Sequence, residues 1–187
     1  MNATNQQYDT IMARCRALFK DKTLDYGTSW RVLRSQSLTD QLYIKALRIR
    51  TVEVADKAQV NESIEDGFIA LVNYALMGII QVSEGFADNA DMDAETALQK
   101  YDKAAEETRE LMQRKNHDYG EAWRTMRIGS FTDIILQKIM RTKTIENNGG
   151  KTIVSEGIKA NYQDIVNYAL FALIRLSEEK DVQEGEN

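Results

Sequence analysis

Residues 8–53 of the chain read YDTIMARCRALFKDKTLDYGTSWRVLRSQSLTDQLYIKALRIRTVE. This stretch recurs without a gap as YDKAAEETRELMQRKNHDYGEAWRTMRIGSFTDIILQKIMRTKTIE, residues 101–146. After one inserted residue, residues 60–84 match residues 154–178, and both segments contain VNYAL. A match of this length within one chain is the signature of an internal repeat. The sequence therefore predicts a tandem duplication.

The predicted repeats are separated by the small, acidic segment FADNADMDAE. Such a segment, without apolar periodicity, is typical of a linker. We therefore place the first helical repeat at residues 1–86, the linker at 87–96 and the second helical repeat at 97–187.

The composition predicts helices throughout. The chain has no proline, whereas strand-rich domains usually carry some, and it is rich in residues that favour helices. Each repeat contains three segments with helical apolar periodicity, and Gly27 and Gly120 suit the left-handed turn that ends a helix. The first helix is predicted to start at about Tyr8 in the first repeat and at about Ala97 in the second. The second helix is predicted to start after Ser37 and Ser130, and the third after Asn61 and Ser155.

The amphipathic pattern also predicts how the repeats associate. Three amphipathic helices cannot enclose a large core alone. We therefore expect the repeats to pack on each other about a pseudo-twofold axis, as a homodimer fused into one chain would. The predicted fold class is an all-α helical bundle, made by tandem duplication of a three-helix unit.

Charge and cysteine content narrow the classes of function. The formal net charge of −5 disfavours nucleic acid and anionic membranes as partners, although arginine clusters leave local nucleic-acid binding open. Cys15 stands alone, so no disulfide forms within the chain, which fits a reducing compartment. The N-terminus has no signal layout, and no apolar run approaches the length of a membrane span. We expect a soluble cytoplasmic protein with no membrane partner, and a homo-oligomer is a possible state.

Both repeats retain charged residues at equivalent positions, whereas a purely architectural duplication would need mainly apolar and turn residues. The basic ones suit phosphate groups, or they pair with the surplus of acids. The candidate phosphate-binding residues are Lys22, Arg31, Arg34, Lys45, Arg48, Lys115, Arg124, Arg127, Lys138 and Arg141. Asp25 and Asp118 are candidate supporting residues.

The third helix of each repeat carries a polar stripe. Its positions lie on one helical face and hold Glu62, Asp66, Ala70 and Asn73 in the first repeat, and Glu156, Ala160, Asp164 and Asn167 in the second. Mg²⁺ takes one or two carboxylates and fills its other positions with water and phosphate oxygens. The candidate metal ligands are therefore Glu62, Asp66, Glu156 and Asp164, with Asn73 and Asn167 as supporting residues.

The acids of this stripe also suit purely structural roles. Glu62 and Glu156 directly follow the predicted N-caps Asn61 and Ser155, where the helix dipole alone favours an acid. Without a metal, the stripe is either a solvated face or an internal network with arginines of the second helix.

Structural roles are predicted for several more of the shared residues. The segments SLTD (residues 37–40) and SFTD (residues 130–133) have the S-x-x-D spacing of a near capping box at a helix start. Trp30 and Trp123 are predicted to be core or interface anchors rather than base-stacking platforms.

Three motifs give the chain a family resemblance. They are K-x-x-DYG-x-x-W, the Lys-x-x-Arg of the second helix, and E-x-I-x-D followed by VNYA. With them the chain resembles the nucleotide modification associated domain 1 family, a domain of unknown function, over nearly its whole length and once per repeat. Its two-copy arrangement resembles members of Bacteroidetes type. The family name implies an association with nucleotide metabolism or DNA-base modification.

A more distant similarity is to all-α nucleoside triphosphate pyrophosphohydrolases of the MazG and dimeric dUTPase type. That resemblance implies acids on neighbouring helices, written ExxE followed by ExxD, that bind Mg²⁺ for pyrophosphate release. The chain departs from the pattern, since its third helices have no ExxD. In the alignment of the repeats, Asp66 is equivalent to Ala160, and Asp164 is equivalent to Ala70. This departure fits either one composite site across the repeats or the decay of a former activity.

Two functions from different classes follow. The first is Mg²⁺-dependent nucleotide binding or nucleoside triphosphate pyrophosphohydrolysis, with Asp66 or Asp164 as the catalytic carboxylate that activates water. The second is a non-catalytic helical module for protein interaction or oligomerisation. The first predicts a nucleotide partner and a Mg²⁺ cofactor, and it requires the acids of both third helices to meet in one pocket.

Overall fold

The architecture is helical throughout the part of the chain that the structure covers. The computed structural model describes residues 3–55 and 62–185, and within these ranges it has no strand. A short 3-10 helix precedes the second α-helix of each repeat, at Ser29–Val32 and at Ala122–Thr125. The all-α prediction, with three α-helices per repeat, is confirmed. The helices are α1 (Ala3–Tyr26), α2 (Ser35–Val54), α3 (Ile64–Glu84), α4 (Ala94–Tyr119), α5 (Ile128–Asn147) and α6 (Ile158–Gly185).

The second and third α-helices of the two repeats begin at matching positions, whereas the first helices begin at Ala3 and Ala94, which the alignment does not pair. The starts of α3 and α6, Ile64 and Ile158, are paired by the sequence alignment. Helix α4 begins at Ala94, inside the predicted linker, because Asp93 caps it by accepting a 2.7 Å hydrogen bond from the Thr96 N–H. The division of the chain into two domains and a linker stays a prediction.

The predicted caps of the second helices are wrong. Helix α2 begins at Ser35, after an extended Arg34 that makes no side-chain cap. The N–H of Ser37 donates to the Arg34 carbonyl at 2.9 Å, and the N–H of Ser130 donates to the Arg127 carbonyl at 3.0 Å. Both serines therefore lie inside the first helical turn, where a capping hydroxyl has no role.

The predicted caps of the third helices also shift. Ser63 caps α3, since its Oγ accepts from the Asp66 N–H at 3.0 Å while the Asp66 carboxylate accepts from the Ser63 N–H at 2.9 Å. This reciprocal pair is a capping box. Glu62 therefore precedes the cap, and the predicted cap Asn61 lies outside the described residues. Ser155 is not a cap either, because α6 begins three residues after it.

Helices α3 and α6 form the centre of the bundle. They make the most extensive contact between any two elements, and α2 and α5 pack against them. The ring of Tyr162 from α6 packs directly on the α3 backbone at Gly78, where a Cβ atom would lie 2.8 Å from the ring. The largest fully buried side chains are Tyr8, Tyr101, Tyr162, Phe19, Phe68 and Phe131.

Helix α3 is more apolar than the sequence analysis expected. It has the length and composition of a membrane-spanning helix, so the expectation that no apolar run approaches that length is wrong. However, 67% of this stretch is buried inside the protein. Its composition is explained by burial against the surrounding helices, because a helix that is apolar all round belongs in a core as readily as in a membrane. The cytoplasmic location stays a prediction.

The repeats exchange reciprocal hydrogen bonds in their interior. Tyr8 donates through its hydroxyl to Asn167 Oδ1 at 2.8 Å, and the equivalent Tyr101 donates to Asn73 Oδ1 at 2.8 Å. Asn73 also donates through Nδ2 to the Cys15 carbonyl at 3.1 Å. The buried asparagines of the two VNYAL segments thus have the partners that burial requires.

Reciprocal ion pairs continue this pattern at the surface. Arg16 Nε lies 2.6 Å from Asp102 Oδ1, and the equivalent Arg109 Nε lies 2.6 Å from Asp9 Oδ1. A contact that occurs twice with the repeats exchanged is what a pseudo-twofold axis generates.

The second helices exchange contacts as well. Glu53 accepts from the Thr132 hydroxyl at 2.8 Å, and the equivalent Glu146 accepts from the Thr39 hydroxyl at 2.8 Å. Four of the shared polar residues therefore hold the repeats together rather than forming a site.

The aspartates of the two S-x-x-D segments also contact the opposite repeat. Asp40 pairs with Lys143 at 2.6 Å, and Asp133 pairs with Arg50 at 3.8 Å. The acids predicted to assist helix starts act instead in ion pairs between the repeats.

Candidate functional site

Each repeat contains a cavity between its first and third helices. The first-repeat cavity has a volume of about 330 Å³ and the second-repeat cavity about 420 Å³. Small-molecule sites are commonly of this size. The two cavities are equivalent, since identical residues line both. These are Lys22 and Lys115, Tyr26 and Tyr119, Gly27 and Gly120, Trp30 and Trp123, Lys45 and Lys138, Asn73 and Asn167, and Tyr74 and Tyr168.

The turn after the first helix of each repeat builds one wall. Gly27 and Gly120 have φ angles of +70° and +63°, a left-handed region that glycine adopts without steric cost. The prediction for these glycines is confirmed. Beyond the turn, the short 3-10 helix carries Trp30 or Trp123 to the cavity. The spacing K-x-x-DYG-x-x-W thus places a lysine, a tyrosine and a tryptophan around one opening.

The tryptophans carry a buried hydrogen-bond donor with no acceptor. Trp30 and Trp123 are each 6% exposed, and neither Nε1 has a hydrogen-bond partner in the described part of the chain. A buried indole N–H usually has one, because leaving it unpaired costs free energy. The prediction of core anchors is correct for burial, but the same residues also line the cavities.

Aromatic neighbours widen the apolar wall behind each tryptophan. Trp123 stacks on Phe171 with ring centroids 4.3 Å apart, and Trp30 meets Phe19 in a tilted arrangement at 6.3 Å. Each cavity therefore has an aromatic wall together with the two lysines that line it.

The first-repeat cavity has its acids close to the beginning of α3. Glu62 accepts from Lys45 Nζ at 3.0 Å and lies 3.4 Å from Arg48 Nε. Asp66 is held by Ser63, whose side-chain and backbone hydrogen bonds lower the pKa of the Asp66 carboxyl. Lys22 has no ion-pair partner among the residues that the structure describes.

The second-repeat cavity has an acid between its lysines. Asp164 takes the place of Ala70, and its side chain is only 5% exposed. Lys115 Nζ lies 2.6 Å from Asp164 Oδ1, and Lys138 Nζ lies 2.6 Å from Asp164 Oδ2. Burial alone would lower the pKa of the Lys115 ammonium, but the hydrogen bond and negative charge of Asp164 outweigh it and raise the pKa.

The four candidate metal ligands do not meet in one place. Glu62 and Asp66 line the first-repeat cavity, and Asp164 lines the second. Glu156 lines a third space of about 820 Å³, between α5 and the segment before α6. The expected single acidic pocket is therefore wrong, because the stripes of α3 and α6 face the cavities of their own repeats. In the described ranges, no three His, Cys, Asp or Glu side chains cluster as a metal site.

Two of the predicted phosphate ligands are occupied by protein groups. Arg31 donates to Asp91 at 2.9 Å, to the Gly85 carbonyl at 2.7 Å and to Gln81. It therefore joins its 3-10 helix to the end of α3 and to the linker. Neither this arginine nor its counterpart lines either of the two equivalent cavities.

The counterpart Arg124 is equally engaged. It pairs with Glu121 and Glu178, each at 2.6 Å, and donates to Thr4 and Gln7 at 2.7 Å. A guanidinium with several protein acceptors is a structural tie, with few donors left for a ligand.

The remaining predicted arginines lie outside the two cavities. Arg34 and Arg127 are not buried, and they directly precede α2 and α5. Arg48 pairs with Glu62, and Arg141 lines the same third space as Glu156. Of the predicted phosphate ligands, the structure brings to each cavity only its two lysines.

The predicted supporting residues divide in two. Asn73 and Asn167 line the cavities, although their side chains are already hydrogen-bonded across the repeats. Asp25 and Asp118 are exposed at the ends of the first helices and line neither cavity.

Sequence reasoning missed the aromatic half of the cavities. Tyr26 and Tyr119 come from DYG, and Tyr74 and Tyr168 come from VNYAL. All four belong to the shared motifs, and this identity was the available signal. It was overlooked because shared aromatic residues are more commonly explained by core packing.

The comparisons with known proteins agree with the repeat. No match was found among curated proteins or among solved structures. A family model described as nucleotide modification associated domain 1 matches twice, over residues 22–82 and 115–176. Each match begins at the cavity lysine of the first helix and ends within the third helix. The MazG-like relationship and the Bacteroidetes affiliation remain predictions. The chain belongs to the nucleotide modification associated domain 1 family, with two copies of the domain.

Proposed function

We propose that the protein binds nucleotides in its two equivalent cavities. One observation carries this proposal. Each cavity is lined by two lysines and a tryptophan, and the buried indole N–H of that tryptophan has no hydrogen-bond partner in the described part of the chain. Each Nε1 is itself covered, so a ligand pairs with it only when the covering side chains move aside and the ligand supplies an acceptor. A planar base with ring nitrogens and carbonyl oxygens is such a ligand.

The chemistry of the walls supports a nucleotide over a purely apolar ligand. Aromatic faces stack on bases with little regard to sequence. Lysine ammonium groups bind phosphate as compact point charges. Of the two lysines that line the first-repeat cavity, Lys45 is ion-paired and Lys22 has no ion pair among the described residues. Trp30 and Tyr74 are aromatic residues of the same cavity. This arrangement fits a base at one end and phosphates at the other.

A Mg²⁺ complex of the nucleotide fits the first-repeat cavity better than the second. Mg²⁺ needs only one or two protein carboxylates when phosphates and water complete its shell. Asp66 lines this cavity, and the hydrogen bonds from Ser63 go to its Oδ2, which leaves Oδ1 for a metal. Glu62 also lines the cavity, but its two oxygens pair with Lys45 and Arg48, so Asp66 is the carboxylate that would take the ion. In the second-repeat cavity both oxygens of Asp164 accept from lysines, which leaves its carboxylate poorly placed to take a metal.

Pyrophosphate release, if it occurs, belongs to the first repeat for the same reason. Water would attack the α-phosphorus of a nucleoside triphosphate, the bond from that phosphorus to the bridging oxygen would break, and Asp66 would accept the proton of the water. The lowered pKa of Asp66 keeps it a carboxylate at neutral pH. The distant similarity to all-α pyrophosphohydrolases is a further motive for testing this reaction.

The two tryptophans make a direct binding assay available, since they are the only ones in the chain and each lines one cavity. The Trp123→Phe variant reports the first-repeat cavity through Trp30. We expect a saturable change in its emission with one or more members of a panel of nucleosides, mono- and triphosphates. Lys22→Met should weaken triphosphate binding at least tenfold. Lys20→Met is the matched control, an exposed lysine of the same helix outside the cavity.

Further arms separate binding from turnover. With Mg²⁺ present, released pyrophosphate would support the hydrolase, whereas a fluorescence change without release would support a binding protein. If no nucleoside or nucleotide changes either tryptophan or the melting temperature, the proposal is wrong. A non-catalytic interaction or oligomerisation module then becomes the leading interpretation.

A further inference from the structure

We infer that the second-repeat cavity is closed to phosphate by an anion of its own. Asp164 holds the space between Lys115 and Lys138 that a bound phosphate would otherwise take. The inference deepens the proposed function and rests on it for the identity of the ligands. The first-repeat cavity takes the phosphate-bearing ligand, and the second takes a planar ligand without phosphate, such as a base or nucleoside.

Asp164 already occupies the position between the two cavity lysines of the second repeat. Each of its oxygens lies 2.6 Å from one lysine Nζ, so the carboxylate bridges the two ammonium groups. Hydrogen bonds between oppositely charged groups at this distance are strong. The carboxylate is attached to the backbone of α6 and cannot diffuse away, so a phosphate competes with it at a large disadvantage.

The equivalent position of the first repeat is a methyl group. Ala70 lines the first-repeat cavity at the place of Asp164. Lys22 is left without an ion-pair partner in the described residues, whereas its counterpart Lys115 is paired. The difference between Ala70 and Asp164 therefore leaves Lys22 open to an anion where Lys115 is already paired, while Lys45 pairs with Glu62 at 3.0 Å.

Net charge does not explain the difference. The second cavity carries two lysines and one aspartate, which sums to +1. The first is lined by Lys22, Lys45, Glu62 and Asp66, which sum to zero, so net charge alone would favour phosphate in the second cavity. The position of the acids decides which cavity accepts phosphate. Glu62 and Asp66 are held at the start of α3 by Arg48 and Ser63, whereas Asp164 lies between the two lysines of its cavity.

The second cavity also keeps its aromatic residues. Phe171 covers one face of the Trp123 ring at 4.3 Å, and the Arg124 guanidinium covers the other at 4.4 Å. This leaves Tyr119 and Tyr168 as the rings for a base. The buried Trp123 Nε1 lacks an acceptor among the described residues. Asp164 therefore removes the phosphate position but leaves the part of the cavity that would recognise a base.

The test exchanges the residues at the two equivalent positions, Ala70 and Asp164. The probe for the anion position is inorganic tripolyphosphate, read through Trp30 in a Trp123→Phe background and through Trp123 in a Trp30→Phe background. We expect tripolyphosphate to change the emission of Trp30 at concentrations at least tenfold lower than those that change Trp123. Asp164→Ala should create binding at Trp123, and Ala70→Asp should weaken binding at Trp30 at least tenfold.

The outcomes distinguish the two proposals. Equal tripolyphosphate affinities at both tryptophans, or a folded Asp164→Ala variant with no gain, would overturn the inference. If Asp164→Ala does not fold, Ala70→Asp decides, because Ala70 is partly exposed on its helix and we expect an aspartate there to leave the fold intact. Tripolyphosphate binding that follows the exchange while no nucleoside binds either cavity would sink the nucleotide proposal and the assignment of a base to the second cavity. The closure of that cavity to phosphate would still stand.

Discussion

The interface between the repeats and the two cavities show opposite effects of the same duplication. At the interface, the contacts of Tyr8 with Asn167 and of Tyr101 with Asn73 occur twice with equal lengths. In the cavities, Ala70 and Asp164 differ and the lysines around them have different partners. Each of these interface residues is hydrogen-bonded to the opposite repeat, so a change in one repeat leaves a buried partner in the other without its hydrogen bond. The cavities do not share walls, so each can change alone.

The largest expected effect tests the symmetry of the interior. Tyr8→Ala and Tyr101→Ala each remove a fully buried aromatic ring, and each should lower the free energy of unfolding by about 3–5 kcal/mol. Tyr101 also stacks on Phe19 at 4.5 Å, whereas the second repeat has Met112 in that place, so Tyr101→Ala should cost about 1 kcal/mol more. Urea unfolding measures both. A Tyr8→Ala effect below about 1 kcal/mol would contradict the reciprocal interior.

The next effect tests the asymmetry of the cavities. Lys138→Ala removes one of two cations from the buried Asp164 and should cost on the order of 2 kcal/mol. The equivalent Lys45→Ala removes a partner from Glu62, which is partly exposed and keeps Arg48, so it should cost below about 1 kcal/mol. Chemical unfolding of both variants gives the comparison. Equal losses would mean that the two lysine sites are energetically alike.

The capping box gives a smaller effect that depends on pH. Ser63→Ala should cost about 1 kcal/mol at neutral pH. Its hydrogen bonds lower the pKa of Asp66 in the folded protein, so this stabilisation is present above the unfolded value of about 3.9 and is lost as the pH falls through the lower folded value. The difference in melting temperature between the wild type and Ser63→Ala should therefore shrink as the pH falls from about 7 to about 3. It should not vanish, because the hydrogen bond from the Asp66 N–H to Ser63 Oγ does not titrate. A constant difference across this range would contradict the assignment.

The surface ion pairs between the repeats should matter least. Arg16→Ala and Arg109→Ala each break one bidentate pair with an exposed or partly exposed aspartate, and each should cost below about 1 kcal/mol. The loss should shrink at high salt because exposed charges are screened. Melting temperatures at two salt concentrations provide the measurement. Unequal losses from these two equivalent residues would count against the reciprocal packing.

Much of the fold follows from local sequence. The repeat, the absence of proline and the glycines after DY predict six helices and two left-handed turns, because these features act within a few residues of each other. The capping serines were misplaced for a local reason too. Several hydroxyl or amide residues precede each helix, and pattern alone does not say which one the first turn leaves outside.

The candidate site was only half predictable. The cavity lysines were identified because both repeats retain them, and the aromatic residues were missed because shared aromatic side chains equally suit a core. Arg31 and Arg124 were taken for phosphate ligands, yet their acceptors come from residues distant in sequence, such as Asp91 and Glu178. Sequence spacing contains no information about those encounters.

The two copies of one helical unit, the positions they share and the difference between Ala70 and Asp164 can all be read from the sequence. Only the packing of the helices shows that the acidic stripes face separate cavities, that the VNYAL asparagines bind tyrosines of the opposite repeat, and that Asp164 lies between two lysines. These two kinds of feature differ in how far apart the interacting residues lie along the chain. Helix formation depends on neighbours within a turn, whereas the partner of a buried charge or amide depends on which helix packs across from it.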